Sequence, residues 1–160
     1  MPEWHAVADT PSDRLRRLGA ALPAPPKPAG TYAPVVRSGT LAWVSGQIAT
    51  EAGAVVRPGA VDRDLSVEAA QEVARRATLQ ALSALAAALG SIDRIRRVVR
   101  VGVFVAVAPG FHREHEVANG ATQLLVDLFG EDGRPTRSTV GVAGLPLGAP
   151  VEVELLVETG

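Results

Sequence analysis

An arginine, a glutamate and a serine–glycine pair are the residues of this sequence whose settings could support chemistry. Arg137 is the fourth residue of the stretch RPTRSTVGVAGLP (134–146), which alternates like a strand after Thr136. Val140 and Val142 take one face, Thr139, Gly141 and Ala143 the other, and counting back by twos puts Arg137 on that small-residue face. A guanidinium beside a floor of Thr139 and Gly141 can offer a two-pronged fork to a carboxylate. The plainer alternative is an exposed arginine at a strand start, unpaired or paired with Glu131 or Asp132. Glu152 begins the last strand. If the two final strands pair as a hairpin, Arg137 and Glu152 lie near its opposite ends. A shared site then needs a subunit boundary or another pairing, and spacing alone favours a solvated edge carboxylate.

Ser45 and Gly46 end a strand in VSGQIA (44–49), where the hydroxyl could meet a ligand and the glycine could let one approach the backbone. A routine strand end is the plainer reading. Nucleophilic serine chemistry is not expected, because His5, His112 and His115 are the only histidines and no G-x-S-x-G elbow surrounds Ser45. His112 and His115 stand three apart with Glu116 close by, but no third metal ligand is evident, so a solvated helix start is expected. GEDGRP (130–135) lacks the lysine and spacing of a phosphate loop and reads as a turn.

The elements that must hold these residues are legible from periodicity. Residues 1–11 show no clean period and read as a mobile lead-in, and Ser12 is a candidate cap for a short helix ending at Gly19. LPAPPKPAG (22–30) is an extended, stiff connector. Apolar runs at 34–36 and 41–44 flank RSGT as a hairpin, with a short strand expected at Val55 and Val56. A long helix runs from a Ser66 cap to Gly90. Its stripe of Val67, Ala70, Ala74, Ala77, Ala81, Ala84 and Ala88 lets it lie close on a sheet. RRVVRVGVFVAV (96–107) is the clearest strand, with Val99, Val101, Val103, Val105 and Val107 on one face. A second helix covers 116–130, and PVEVELLVE (150–158) closes the chain as a strand.

The order is ββ-α-β-α-ββ, an α+β domain of one sheet with two helices on one face. The other face carries Gly102, Phe104 and Ala106, which water does not reward, so a partner subunit is expected to cover it.

Bulk properties narrow the function. The 160 residues suit one domain, and sixteen basic against seventeen acidic residues give a net charge of −1, with no drive toward a phosphate backbone. The absence of cysteine excludes disulfides and thiolate sites. The acidic, proline-broken start is unlike a signal peptide, and no apolar run reaches the roughly 18–20 residues of a membrane span, so a cytoplasmic address is expected. Aromatics are only 4%, so the core must gain its contacts from close backbone approach.

Together, TYAPVVRSGTLAWVSGQIAT, the long helix, VVRVGVFVAV and RPTRSTVGVAGLPLGAPVEVELLVE resemble the RidA/YjgF family, also called endoribonuclease L-PSP, over about residues 30–158. The resemblance divides the chain into an N-terminal extension (1–29) and a RidA-like domain (30–160). It implies a chorismate-mutase-like fold, a homotrimer with ligand clefts between subunits, and no cofactor. It also implies hydrolysis of 2-aminoacrylate-type enamines and imines to 2-keto acids and ammonia.

Residue by residue, Arg137 matches the arginine holding the substrate carboxylate, and Glu152 the glutamate that positions water. Tyr32 matches the entrance tyrosine, and Ser45 and Gly46 match the slot lining. Asn119 and Thr122 compete for a helix asparagine, and Thr139 lies on the pocket floor. Where many members carry an acid four positions after the arginine, this chain has Gly141. The alternative is a non-catalytic trimer binding a carboxylate metabolite or a protein partner. Ribonuclease activity is disfavoured by the charge balance and by the lack of a histidine pair at a plausible cleft.

Overall fold

A computed structural model describes residues 9–160, so the expected lead-in lies mostly outside the described residues, as does His5. The first element is α1 (Pro11–Arg17), and its cap is Thr10 rather than Ser12. Thr10 and Asp13 form a reciprocal capping box, which satisfies two orphan N–H groups where a lone Ser12 would satisfy one. The hairpin follows as β1 (Val35–Ser38) and β2 (Leu41–Ile48), and a small two-stranded ribbon as β3 (Thr50–Glu51) and β4 (Ala54–Val55). Then come α2 (Val67–Leu89), β5 (Ile95–Ala106), α3 (Glu114–Phe129), β6 (Thr136–Val142) and β7 (Val151–Thr159).

The main sheet is mixed, in the order β1-β2-β7-β5-β6, with β5 and β6 parallel and the other pairs antiparallel. The final two strands are therefore not a hairpin: both pair with β5, from opposite sides. The α3 crossover carries the chain from β5 to a parallel neighbour, leaving β7 to fill the space between β2 and β5.

Helices α2 and α3 cover one face, as the periodicity requires. Val101, Val103, Val105, Val151, Val153, Leu155 and Val157 point into this layer and are buried. The stripe on α2 is buried from Val67 to Ala84, but Ala88 is exposed because the helix has passed the edge of the sheet by its last turn. Val99 also falls outside the core. A register shift between Val98 and Arg100 moves the inward position to Val98. The expected short helix, α1, packs against α3, with Arg14 Nη1 donating to Leu128 O at 3.1 Å.

The two long helices meet through glycine. A Cβ on Gly120 would lie 2.0 Å from the carbonyl oxygen of Gln71, so the crossing is as close as backbone permits. This is the packing that a core short of large rings demands. Among the described residues no helix covers the opposite sheet face. It exposes Val36, Trp43 and Val140, and Arg100 pairs there with Glu154 at 2.9 Å.

Candidate functional site

Register separates the two principal candidates. Arg137 stands opposite Val101 of β5, on the helix-covered face, while Glu152 stands opposite Phe104, on the open face. They are three residues apart along β5, about 10 Å, and two strands apart, about 9.5 Å. Within one chain the sheet lies between them, so they do not share a site. The structure instead gathers the candidate residues in two separate places.

The first is a pocket of about 660 Å³ beside the end of β2, which gathers Tyr32, Ser45, Gly46 and Glu152. A register shift between Val44 and Gln47 bends β2 here, so Ser45 and Gly46 form a bulge. Glu152 lies directly over that bulge: a Cβ on Gly46 would sit 1.8 Å from Glu152 Oε1. Gly46 therefore leaves the space that the Glu152 carboxylate occupies. Burial, and secondarily the neighbouring Glu154, hold the Glu152 carboxyl above the usual carboxylate range. Ser45 Oγ donates to Ala33 O at 2.7 Å, so its proton is committed to the backbone and only its lone pairs remain for a ligand.

The proline-rich segment forms one wall of this pocket. Gln80 Nε2 donates to Ala24 O at 2.9 Å and Ser83 Oγ to Pro23 O at 2.6 Å, so two buried polar side chains of α2 pin the connector. Tyr32, half exposed, accepts a hydrogen bond at its hydroxyl from Ala29 N at 3.3 Å, bracing the same wall. Lining residues that sequence reasoning did not single out include Gln47, Lys27 and Leu147. Gln47 is buried and donates from Nε2 to Ser45 O at 3.0 Å, holding the bulge. Its place within VSGQIA was the available signal. Leu147 is 79% exposed with φ 57°, a conformation that nothing in a leucine forecasts.

The second group surrounds Arg137. Its Nη1 donates to Asn119 Oδ1 at 2.8 Å and to Thr122 Oγ1 at 3.3 Å, so both competing helix residues touch it. The alternative partners are engaged elsewhere: Glu131 with Arg134 and Asp132 with Arg97. Only one nitrogen of the guanidinium is used this way, which leaves donors for an anion. Thr139 follows on the same face, with Oγ1 enclosed and without a hydrogen-bond partner. His112 and His115 are exposed at the start of α3. Among the described residues no three His, Asp or Glu side chains are placed to hold a metal, and no helix is long and apolar enough to cross a membrane.

Residues 23–159 match the family model for endoribonuclease L-PSP. Protein TCP17 of Trypanosoma cruzi is 46% identical over 145 residues, covering 90% of this chain and 91% of that protein. Two solved structures superpose over nearly the whole chain. Atu1372 of Agrobacterium tumefaciens, described as of unknown function, is 40% identical with a TM-score of 0.86, covering 94% of this chain and 92% of its own. A Shewanella oneidensis MR-1 protein whose name includes the word endoribonuclease is 30% identical with a TM-score of 0.90, covering 93% and 99%. Escherichia coli TdcF, solved with bound serine, is 25% identical with a TM-score of 0.59, covering 86% and 94%.

Proposed function

Since this chain belongs to the endoribonuclease L-PSP family, which includes YjgF and RidA, we propose that it hydrolyses small 2-imino acids and their enamine tautomers to 2-keto acids and ammonia. Each site would form between two copies, Arg137 coming from one and Glu152 from the next. The observation that carries this reading is the separation of a guanidinium with free donors and a basic carboxylate onto opposite faces of one sheet. The exposed apolar residues Val36, Trp43 and Val140 supply a reason for copies to associate, in a homotrimer on this reading.

The chemistry follows from those roles. Arg137 holds the substrate carboxylate and fixes the imine carbon. Glu152, with its affinity for protons raised by burial, takes a proton from the attacking water as the oxygen bonds to that carbon. That proton passes to the nitrogen, and the new hydroxyl's own proton follows it as the carbonyl forms, the C–N bond breaks and ammonia leaves. Positioning supplies most of the rate, and no cofactor enters. Tyr32, Gly46 and the lone pairs of Ser45 line the slot, while Asn119 and Thr139 shape the arginine side. The serine bound by TdcF, itself a small carboxylate, supports the choice of ligand class. The net charge of −1 supports it over RNA. A cytoplasmic setting, where pyridoxal-phosphate enzymes release such imines, completes the reading, with residues 1–29 as an extension.

A coupled assay tests it. A pyridoxal-phosphate serine or threonine dehydratase generates the imine, and keto-acid formation is followed with this protein and with Arg137→Ala. Acceleration by the wild type, lost in the variant, is expected. Absence of acceleration by folded protein that still binds small carboxylates would overturn the hydrolase in favour of a carboxylate-binding protein.

A further inference from the structure

The first residue of α3, Glu114, reaches the strand that carries Arg137. A Cβ on Gly141 would lie 2.6 Å from Glu114 Oε1 and 3.0 Å from Val107 Cγ2. Gly141 has no positive φ, so what the glycine provides is space and not conformation. That space is occupied by a carboxylate. Glu114 is half-buried and makes no hydrogen bond or ion pair among the described residues. Its neighbours do pair: Arg113 and Glu116 are linked by two hydrogen bonds of 2.8 and 2.7 Å.

Arg137, Thr139 and Gly141 share one face of β6, so the row spans about 13 Å from Cα to Cα. It carries a guanidinium with free donors at one end and a carboxylate without a partner at the other, with the enclosed Thr139 hydroxyl between them. A slot built for an anion alone gains nothing from a carboxylate at its far end, since like charge opposes binding. A ligand carrying a carboxylate at one end and a protonated nitrogen beside it uses both. Complementing the dipole of α3 is the ordinary role for an acid in a first turn. Glu116 already fills that role, and it would not require glycine at 141.

Resting on the reading of Arg137 as the carboxylate anchor, we propose that Glu114 receives the cationic nitrogen of the ligand and selects amino and imino acids over acids that lack it. Glu114 is thus a specificity-determining residue supplied from outside the strand.

Isothermal titration of the full chain with L-serine and with its hydroxy-acid counterpart, glycerate, tests this without relying on turnover. The wild type should bind serine more tightly than glycerate. Glu114→Gln should weaken serine by about tenfold and change glycerate by less than about twofold, the signature of one lost charge-assisted contact. Glu114→Asp should restore part of the preference. Gly141→Ala, which pushes the carboxylate aside from the opposite direction, should reproduce the loss if Glu114→Gln proves poorly folded. Equal weakening of both ligands, unchanged serine affinity, or no serine preference in the wild type would each overturn the proposal. Arg137→Ala separates the two readings. If it abolishes both affinities while Glu114→Gln does not discriminate, the anchor stands and the proposal falls. If it leaves both intact, the anchor falls and the proposal with it.

Discussion

Mixing two inactive variants should restore activity, and the amount is set by geometry. Arg137 and Glu152 are separated by about 10 Å along β5 and about 9.5 Å across it, and they face opposite sides. No rotamer brings them together through a layer of paired backbone. Arg137→Ala and Glu152→Ala should each lower activity by about 100-fold or more, because each removes a positioning group. In a closed assembly where each site takes its arginine from one subunit and its glutamate from the neighbour, random 1:1 mixing leaves both residues intact in about a quarter of sites. The coupled dehydratase assay on co-expressed, separately tagged variants should therefore recover about a quarter of wild-type activity. Native mass spectrometry would establish that hybrids formed. Hybrids that remain as inactive as their parents would refute the shared site and return Glu152 to the role of a surface carboxylate.

Two glycines offer opposite outcomes from the same substitution. Gly46→Ala collides with Glu152 Oε1, the free end of a flexible side chain, and Gly46 has no positive φ. A displaced rotamer costs about 0.5–1.5 kcal/mol against a backbone gain of about 0.5–1 kcal/mol. Calorimetry should then show a Tm within about 4 °C of wild type, while activity falls about 100-fold. Gly120→Ala meets the Gln71 carbonyl at 2.0 Å, which cannot move without parting α2 from α3. It should lower Tm by at least about 6 °C. Glu152→Gln tests the carboxyl by pH. Its folded pKa lies above its ordinary value of 4.5, so wild type loses stability as pH rises from the unfolded toward the folded value. The variant should match wild type below about pH 4 and melt higher near pH 7, as a thermal-shift series would read.

The elements were legible because each announces itself locally. Ser66 and Gly90 bracket α2, and the valines of β5 alternate on their own strand. What stayed hidden depends on neighbours far along the chain. Nothing in residues 136–159 says that β5 comes between β6 and β7, because a four-residue turn and an eight-residue link look alike until the sheet is built. That one fact decides the site. It turns Arg137 and Glu152 from opposite ends of a hairpin into groups on opposite faces of a sheet. Gly141 shows the same limit from the other side. In the sequence it is a small residue on the floor beside Arg137, whereas in the fold it is the gap that admits Glu114 from a helix 27 positions earlier. Asn119 and Thr122 competed for one place on a helical face, and both reach the guanidinium because they are three apart. Local pattern thus identifies which residues can act, and topology identifies with whom. For this chain the topology places Arg137 and Glu152 on opposite faces of one sheet, which makes assembly a condition of the proposed chemistry.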